Sequence, residues 1–247
     1  MSDERGPSAA GPTATAAPTD PRALPDVSGT RVGILGGTGE QGRGLARRLA
    51  MAGNPVTIGS RDRARADQMA QAVLDSIPGG QAQVRGADNE QCAADSDVII
   101  IAVPWDGHLA MVGSMRQALS GKVVVDCVNP LGFDKQGAFA LSVPQGSAAQ
   151  QAAEVLEHST VVGAFHHVSA VLLLDPQVDR IETDVLVLGD DRPATDLVQA
   201  LAGRIPGMRG IYGGRLRNCG QVEAMTANLI SMNRRYKAHA GIRITDV

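Results

Sequence analysis

The stretch ILGGTGEQGRGLARRLA, residues 34–50, decides the fold of this chain. Five glycines fall within residues 36–44, between the apolar segment RVGIL and a predicted helix from about Gln41 to Ala52. The junction carries a G-x-G-x-x-G pattern, formed by Gly37, Thr38, Gly39, Glu40, Gln41 and Gly42. Such glycines allow a tight turn, close approach of a pyrophosphate and close helix–strand packing, and the helix N-terminus attracts phosphates. The pattern predicts a dinucleotide-binding loop, the alternative being a tight turn without a ligand.

Alternating strand and helix patterns follow the loop. The predicted strands are PVTIGS, QAQVRGA, DVIIIAVP, KVVVDCV, TVVGAF and DVLVLGD, and the intervening segments RDRARADQMAQAVLDSI, HLAMVGSMRQAL and PATDLVQALAGRI are predicted helices. We therefore expect an α/β fold with a doubly wound parallel (Rossmann) sheet. Residues 29–150 are assigned to the dinucleotide-binding Rossmann domain. Residues 151–247 form a smaller C-terminal region that ends in one long helix, NCGQVEAMTANLISMNRRYKAHAG, and residues 1–28, rich in proline and alanine, are expected to be a disordered tail.

The end of the second predicted strand indicates which dinucleotide binds. NAD-specific sites carry Asp or Glu there to accept hydrogen bonds from the ribose hydroxyls. Here Ser60 and Arg61 take the place, with Arg63 and Arg65 one turn further on. Guanidinium and hydroxyl groups donate hydrogen bonds to a 2′-phosphate, which a carboxylate would repel. We predict NADP(H), with Asp62 as a helix cap; the alternative is that these arginines are surface charge.

The composition excludes several classes of partner. A net charge of −3 and 2% aromatic residues argue against a nucleic-acid partner. No apolar run approaches the roughly 20 residues of a membrane span and no signal-peptide core is evident, so a cytoplasmic protein without a membrane partner is expected. Cys92, Cys127 and Cys219 lack metal-type spacing and predict neither disulfides nor a metal site. From Arg204 onward eight basic residues outnumber two acidic ones, which fits an anion-binding face or a solvated helix surface.

Three segments in this order and spacing, ILGGTGEQGRGLARRLA, IGSRDRARA and AVPWDGHL, resemble the NADPH-dependent reductases of coenzyme F420, an 8-hydroxy-5-deazaflavin. GAFHHVSA and AGIRI fit the same family, so the resemblance extends from Arg31 to Ile244. It implies an oxidoreductase that transfers a hydride between NADP(H) and coenzyme F420. Two features depart from the family pattern: FHHVSA stands where LHTIPA is expected, and the proline-rich N-terminal segment is extra.

The resemblance also implies a set of cofactor-binding residues. On the NADP side these are Thr38, Gly39, Glu40 and Gln41 at the pyrophosphate, Ser60, Arg61 and Arg65 at the 2′-phosphate, and Val103, Pro104, Trp105, Leu109 and Ala170 elsewhere. On the deazaflavin side they are Asn129, Pro130, His166, Val168 and Ala240. The basic surplus near the C-terminus would suit the anionic tail of the deazaflavin, which carries a phosphate and glutamates.

No residue is assigned as catalytic, because the two cofactors carry the reactivity and the protein supplies their position. His166 is a candidate for contact with the deazaflavin, whereas His167 is expected to satisfy backbone carbonyls at a strand end. Trp105 is interpreted as packing near the nicotinamide or ribose, the alternative being burial in the core. Cys127 is interpreted as a small core residue.

Two other functions stay open. One is an NADP-dependent reductase of a small imine or hydroxyacid; hydroxyacid enzymes place a lysine on a helix after a glycine-rich segment, and here the late helix offers only Lys237 near its end. The other is a non-catalytic Rossmann module that senses NADP(H). Its docking surface would be the apolar stripe of Val222, Met225, Leu229 and Met232, although a homodimer interface explains that stripe more simply. A homodimer is therefore expected.

Overall fold

The fold is taken from a computed structural model, which describes residue 20 and residues 23–247. Along the chain the elements are β1 (Val32–Leu35), α1 (Glu40–Met51), β2 (Val56–Ser60), α2 (Arg63–Asp75), β3 (Val84–Asp88), α3 (Asn89–Ala94), β4 (Val98–Ile101), α4 (Trp105–Met115), β5 (Val123–Asp126), β6 (Leu131–Asp134), β7 (Gly137–Ala140), α5 (Ala148–Val155), β8 (Thr160–Gly163), α6 (Ala170–Leu174), β9 (Thr183–Gly189), α7 (Arg192–Gly203), β10 (Met208–Gly214), a 3₁₀ turn (Leu216–Asn218) and α8 (Cys219–Tyr236). Eight strands form one sheet in the order β10-β9-β8-β5-β4-β1-β2-β3, and β6 and β7 form a separate hairpin.

Six neighbouring strands of the sheet, from β3 to β8, are parallel. Their order is that of a doubly wound dinucleotide-binding fold, so the predicted fold class is confirmed. The order reverses between β1 and β4, which pair from Val32 with Val98 to Leu35 with Ile101. In open α/β sheets, ligands bind at such a reversal, outside the carboxyl ends of the strands.

The sheet changes direction in the C-terminal region. β9 runs antiparallel to β8, with Val162 opposite Gly189, whereas β10 is parallel to β9. The first residues of β9, Thr183 and Asp184, therefore lie toward the edge at which β1, β4 and β5 end. The C-terminal region thus brings the start of a strand, rather than its end, to the ligand-binding edge.

Alternating side chains of the apolar strands feed two cores, one on each face of the sheet. Along β4, Ile100 joins one buried cluster, while Ile99 and Ile101 join the other. All three are fully buried. Burial on both faces explains why these strands read as continuous apolar runs in the sequence.

The structure adds elements that the sequence patterns did not predict. The β6–β7 hairpin and β10 have mixed burial, with Phe133 70% exposed, and so lack a clear apolar period. α4 begins at Trp105, directly after Pro104, rather than near His108, because proline is well suited to a helix start. Of the predicted tail, residues 1–19, 21 and 22 lie outside the described residues. Val27 is described and buried, and Asn54 Nδ2 donates a hydrogen bond to its carbonyl at 2.7 Å.

The terminal helix α8 ends at Tyr236, because Lys237 adopts a left-handed conformation with φ of 50°. Its apolar stripe packs largely within this chain, against α5 and β7. Val222 and Leu229 are buried, and of the stripe only Met232 is strongly exposed, at 46%. The stripe therefore belongs mainly to the core and does not offer the docking surface suggested by the sequence. Within residues 23–247, no helix is both long and apolar enough to cross a membrane.

Candidate cofactor site

The glycines of the loop between β1 and α1 differ in what they touch. Gly36 has φ of +77°, and a Cβ there would lie 2.6 Å from the carbonyl oxygen of Ala102, so Gly36 makes the tight turn. A Cβ on Gly42 would lie 2.6 Å from Gly37 Cα, so this pair lets α1 pack on the loop. At Gly39 a Cβ would meet nothing closer than 3.6 Å. The surrounding chain does not require a glycine at Gly39, which leaves room for a ligand to approach its backbone. The motif assignment missed Gly36, whose signal was the Gly-Gly pair directly after β1.

The N-terminus of α1 has no side-chain cap, because its N-cap residue is Gly39. The N-terminus of α4, which follows Pro104, also lacks one. By contrast, Asp62, Asp88 and Asp191 cap α2, α3 and α7 with their carboxylates. Among the residues that the structure describes, no side chain therefore accepts a hydrogen bond from the first-turn amides of α1 and α4, which lie at the edge where β1 and β4 end. Such amides, with the positive end of the helix dipole, bind anions.

The residues predicted to bind the 2′-phosphate lie together at the end of β2. Ser60 is the last residue of β2, and Arg61 and Arg65 line the same cleft. In the described part of the chain, neither of these guanidinium groups has an ion-pair partner. Both arginines are exposed. The cleft thus holds two cationic groups whose charge the protein leaves unbalanced.

The charged residues between these arginines are already engaged. Arg63 Nε lies 3.1 Å from Asp67 Oδ2 in an i,i+4 ion pair. Asp62 accepts hydrogen bonds from the amides of Ala64 and Arg65 at 2.9 and 3.2 Å. The prediction that Asp62 caps the helix is confirmed.

Thr38 and Gly39 of the glycine loop line one cleft of about 350 Å³ together with Ser60 and the two arginines, whereas the predicted residues Gly37, Glu40, Gln41 and Gly42 do not line it. Val103 and Pro104 also line it, as predicted. The sequence analysis missed further lining residues, namely Gly36, Gly59, Asn89, Ala102, Gly107 and Met111. Asn89 Oδ1 is buried and has no hydrogen-bond partner among the described residues. No motif marks Asn89; its one sequence signal is its place just after the parallel strand β3.

Trp105 and Leu109 lie on a different face of α4 from the cleft. They are separated by one helical turn, whereas Gly107 and Met111 occupy the face that lines the cleft. The Trp105 ring stacks on His108, with centroids 5.7 Å apart and an interplanar angle of 26°. Leu109 is 50% exposed. Contact of either residue with NADP stays a prediction.

A buried ion pair joins α4 to the end of β5. His108 Nε2 lies 2.6 Å from Asp126 Oδ2, and both side chains are fully buried. Burial disfavours the imidazolium, but the hydrogen bond with Asp126 overcomes it and raises the pKa of His108. Asp126 Oδ1 also accepts a hydrogen bond from Val128 N at 3.0 Å, which fixes the turn after β5. Sequence reasoning missed this pair because its members lie on separate elements with no shared motif.

Asn129 and His166, both predicted on the deazaflavin side, are joined directly. Asn129 Nδ2 donates a hydrogen bond to the carbonyl oxygen of His166 at 2.7 Å, and Thr226 Oγ1 donates to the same oxygen at 3.3 Å. His166 belongs to residues 164–169 between β8 and α6, here called the strap. Pro130 is buried, and its carbonyl accepts a hydrogen bond from Leu141 N at 2.9 Å. The main chain of the strap is thus fixed to the end of β5.

The ring of His166 faces the protein interior. Its side chain is fully buried, and Nε2 lies 3.9 Å from Glu223 Oε1. Neither ring nitrogen has a hydrogen-bond partner among the described residues. Burial lowers the pKa of His166 to about 4, so the ring is neutral near pH 7. Direct contact of this ring with a deazaflavin stays a prediction.

Two neighbouring titratable side chains accept hydrogen bonds from main-chain amides. Glu223, on α8, accepts hydrogen bonds from Ala148 N and Ala149 N at 2.9 and 3.2 Å, and so binds the N-terminus of α5. Burial raises the pKa of Glu223 to about 7. His167 Nε2 accepts a hydrogen bond from Leu186 N at 3.3 Å, and burial lowers its pKa to about 4. His167 therefore bonds to the main chain, but to an amide rather than to the expected carbonyl.

Val168 and Ala240 line one small cavity between the strap and the C-terminal segment. Its volume is about 30 Å³, which matches a single water and excludes a ring system. Ala170 is the first residue of α6, directly after the strap. The structure therefore brings Val168 and Ala240 together, but around a space too small for a ring system.

Asp184 anchors the C-terminal segment. Its fully buried carboxylate accepts hydrogen bonds from Arg209 Nε and Nη2 at 2.7 and 2.6 Å. It also accepts from Arg243 Nη1 at 2.8 Å and from Ile244 N at 2.7 Å. The hydrogen bonds from Arg209 hold the pKa of Asp184 well below its usual range.

The basic residues of the C-terminal region divide into engaged and free groups. Arg215 pairs with Asp190 at 3.6 Å, and Arg243 pairs with Asp184 and Glu182. Over residues 23–247 the structure gives no ion pair to the exposed residues Arg217, Arg234, Arg235 and Lys237. Arg234 and Arg235 lie in the last turn of α8 and Lys237 is its C-cap, so these three are close in sequence to Ala240.

The three cysteines are buried and unpaired. Burial raises the pKa of all three thiols, to about 12 for Cys92. Cys127 Sγ lies 3.0 Å from the carbonyl oxygen of Ile101, and its interpretation as a core residue is confirmed. Among the described residues, no group of three His, Cys, Asp or Glu side chains is arranged to hold a metal ion.

Comparison with known proteins places this site in a family. The model of the family described as "NADP oxidoreductase coenzyme F420-dependent" matches residues 31–130. F420-dependent NADP reductases of Methanothermobacter marburgensis and Methanocaldococcus jannaschii are 40% and 36% identical over 222 residues, covering 88% of this chain and 99% of each relative.

Solved structures agree with this comparison. A structure from Arthrobacter sp. FB24, described as a candidate F420-dependent NADP reductase, has a TM-score of 0.73 at 25% identity and covers 88% of this chain and 100% of that one. An imine reductase of Bacillus cereus, 16% identical with a TM-score of 0.54, covers 84% of this chain and 63% of that one and shares the fold alone. On the strength of its relatives and its cofactor cleft, this chain belongs to the family of F420-dependent NADP reductases.

Proposed function

We propose that this chain is an oxidoreductase that transfers a hydride between NADP(H) and coenzyme F420, the reaction for which its relatives are named. The observation that carries the proposal is the cleft at the reversal of strand order. In it the unpaired Arg61 and Arg65 lie together with the uncapped N-terminus of α1. NADP(H), whose 2′-phosphate distinguishes it from NAD, supplies anions for both groups.

The cleft suits NADP(H) in shape as well as in charge. Thr38 and Gln41, with Glu40 at the helix start, would hold the pyrophosphate on their amides. Gly39, whose own amide donates to the carbonyl oxygen of Gly36 at 3.1 Å, leaves space for the pyrophosphate. Ser60 would bind the 2′-phosphate together with the two arginines. The buried acceptor of Asn89 would receive a hydrogen bond from a ribose hydroxyl or an adenine amine. Apart from Gly39, each of these residues has a hydrogen-bond donor or acceptor that the described residues leave unused.

The deazaflavin would bind where the strap meets the C-terminal segment. Asn129, Pro130 and His166 would form its floor, with Val168 and Ala240 lining the cavity that must widen to receive it. Arg234, Arg235 and Lys237 would meet the phosphate and glutamates of its tail. These cations share the last turns of α8 and the residue that ends it, and Ala240 N bonds back to Asn233 Oδ1 at 2.6 Å.

When both cofactors are bound, they supply the chemistry: a hydride from the dihydronicotinamide and one proton from water reduce the deazaflavin, and the reverse reaction returns both. The residues of the two pockets would hold the two rings against each other, so that the hydride could pass directly between them. The neutral His166 keeps the strap free of positive charge near pH 7. Among the described residues that line the NADP cleft, none is Asp, Glu or His.

Three further proposals complete this description. Residues 29–150 bind NADP(H), and residues 151–247 complete the deazaflavin pocket. The compartment is the cytoplasm, which fits three buried, unpaired cysteines. The functional unit is a homodimer whose interface would bury Phe133, an aromatic side chain of the hairpin that is 70% exposed in this chain.

Light scattering after gel filtration tests the dimer. We expect a dimeric mass for the wild-type chain and for Tyr212→Asp, which changes an exposed aromatic on the edge strand β10. Phe133→Asp on the hairpin should give a monomer. A monomeric wild-type chain, or a dimeric Phe133→Asp variant, would rule out this interface.

The reaction is tested by mixing the purified chain with oxidised coenzyme F420 and either NADPH or NADH. Loss of the deazaflavin's visible absorbance with NADPH, and not with NADH, supports both the reaction and the 2′-phosphate assignment. NADPH binding without bleaching would support the NADP cleft but contradict the reaction. The function would then be that of an imine or hydroxyacid reductase or of an NADP(H) sensor. Absence of NADPH binding would contradict the cleft assignment as well.

A further inference from the structure

One face of α1 connects the two halves of the site. Gln41, Gly44 and Arg48 are spaced i, i+3 and i+7, so their side chains share one face of the helix. α1 packs against α6. Because α1 begins at the dinucleotide loop and α6 begins directly after the strap, this helix pair spans both proposed cofactor sites.

The guanidinium of Arg48 caps the C-terminal end of α6. Arg48 is only 2% exposed, and within the described residues it has no carboxylate partner. It instead donates four hydrogen bonds to main-chain carbonyls: to Leu172 at 2.6 Å, Leu173 at 2.9 Å, Asp175 at 3.1 Å and Val178 at 2.6 Å. The first three belong to the last turn of α6 and its C-cap, where a helix leaves carbonyls unpaired. The buried guanidinium of Arg48 thus bonds to main-chain carbonyls instead of a carboxylate, and these bonds fix the position of the five-residue helix α6.

The other two positions on this face also hold the strap in place. A Cβ on Gly44 would lie 2.5 Å from Leu173 Cβ, so only glycine permits this approach of α1 to α6. Gln41 Nε2 donates a hydrogen bond to the carbonyl oxygen of Phe165 at 3.3 Å. Phe165 has φ of 62° and is 1% exposed, which is a strained conformation for a bulky residue. The first turn of α1 therefore holds the start of the strap, and the rest of α1 holds the end of the strap through α6.

We propose that Arg48 is a positioning residue for hydride transfer, which sets the distance between the dinucleotide loop and the strap. This inference rests on the proposed function, because it takes the strap as part of the deazaflavin site. A helix of five residues is only about 7.5 Å long, so a displacement at its last turn reaches Ala170 and the strap. Since a misplacement of about 1 Å can slow such a transfer about a hundredfold, loosening this contact should affect the reaction but not the NADP cleft.

The neighbouring Arg47 provides a matched control. It is equally buried, at 2%, and lies on the same helix, but its contact is a 3.4 Å hydrogen bond to the carbonyl of Ser76 after α2. Arg47→Met and Arg48→Met therefore remove the same charge from the same helix, and only the second loosens α6. Gly44→Ala displaces α6 without removing a charge. Its control is Gly203→Ala on α7, where a Cβ would meet nothing within 4 Å.

Three readouts separate positioning from general damage. For Arg48→Met we expect an NADPH dissociation constant within about twofold of wild type, a KM for coenzyme F420 raised about fivefold or more, and a single-turnover rate lowered about 10- to 100-fold. Arg48→Lys, which keeps a cation with three donors, should recover part of the rate. Gly44→Ala should reproduce the same pattern, whereas Arg47→Met and Gly203→Ala should match wild type within about twofold.

Amide hydrogen exchange provides a readout that does not depend on the deazaflavin. Exchange of residues 165–174 should accelerate in Arg48→Met and Gly44→Ala but not in the controls, with residues 36–41 unchanged. If the wild-type chain does not bleach coenzyme F420, the proposed function fails, and exchange alone decides whether Arg48 positions the strap. If the wild type is active and the Arg48 and Gly44 variants keep wild-type rates, KM values and exchange, the positioning role is wrong. If Arg48→Met does not fold, the rates and exchange of Gly44→Ala decide between these outcomes.

Discussion

The two halves of the site contrast in how they are built. The NADP half is an open cleft of about 350 Å³ with unpaired cations and an uncapped helix. The deazaflavin half is a cavity of about 30 Å³ between packed segments, with both histidines of the strap buried. The first half is ready to receive a ligand, whereas the second must move before a ring can enter.

This contrast predicts the order and the character of binding. A preformed cleft binds without a conformational cost. A pocket that must first widen has its apparent affinity lowered in proportion to the small fraction of molecules in which it is wide enough. NADP(H) should therefore bind equally well with or without the deazaflavin. Each substitution should affect one half of the site at a time, and the four predictions that follow test that separation.

The largest effect is expected from Arg61→Asp, which replaces an unpaired cation of the NADP cleft with a charge that repels the 2′-phosphate. The KM for NADPH should rise roughly 100-fold, with little change for NADH or coenzyme F420. Arg63→Asp is the control, because Arg63 is already paired with Asp67 and should change the KM by less than about threefold. An unchanged KM for NADPH in Arg61→Asp would refute the 2′-phosphate assignment.

A smaller effect is expected from Ala240→Leu, which fills the cavity of the deazaflavin half. The KM for coenzyme F420 should rise roughly tenfold while the NADPH dissociation constant stays the same, because the added methylene groups occupy the space between Val168 and the C-terminal segment. Ala238→Leu changes an exposed residue two positions earlier and should leave both constants unaltered. Equal effects of the two substitutions would remove Ala240 from the site.

Within the NADP half, two glycines should respond differently to alanine. Gly42→Ala pushes a Cβ against Gly37 and should lower the free energy of unfolding by about 1–3 kcal/mol in urea titrations. Gly39→Ala meets no atom closer than 3.6 Å, so the fold should be nearly unaffected while the KM for NADPH rises several-fold. A Gly39→Ala variant with wild-type NADPH binding would mean that no phosphate approaches this loop.

The smallest effect concerns stability behind the deazaflavin half. The pKa of Glu223 is raised from 4.5 to about 7 in the folded chain, so the folded state holds this proton more tightly than the unfolded state does. Its contribution to stability is therefore present at low pH and is lost as pH rises from about 4.5 to 7. The difference in free energy of unfolding between Glu223→Gln and wild type should therefore shift in favour of the variant by at least ~1 kcal/mol when the pH is raised from 5 to 8. Glu154→Gln, on the exposed face of α5, should show no such trend.

The same contrast explains what the sequence could reveal. The NADP half is made of short contiguous segments, so the glycine pattern and the Ser60-Arg61 pair can be recognised in the sequence. The glycine pattern, with the alternating strands and helices, predicts the fold class that the structure confirms. The place of Asn89 in the cleft cannot be predicted from the sequence, because only the pairing of β2 with β3 brings it there. The strand and helix patterns likewise located the sheet but missed the hairpin, whose exposed residues give no period.

The deazaflavin half could be anticipated only through family resemblance. Its residues come from separate parts of the chain, and their side-chain directions depend on packing. Neither the inward turn of His166 nor the His108–Asp126 pair follows from any local pattern. The apolar stripe on α8 shows the same limit, because a helical period tells that one face is buried but not by which surface.

The buried cysteines have a consequence for the durability of the molecule. Oxidants and alkylating agents attack thiolates, and a thiol with a pKa of about 12, such as that of Cys92, is ionised in only about one molecule in 10⁴ at pH 8. Cys127 and Cys219 are held in the same way, by burial among apolar strands and helices. A protein that passes hydrides between cofactors thus keeps its cysteine sulfur atoms away from adduct formation. Iodoacetamide should therefore leave these cysteines unmodified in the folded chain and alkylate them only when the chain opens.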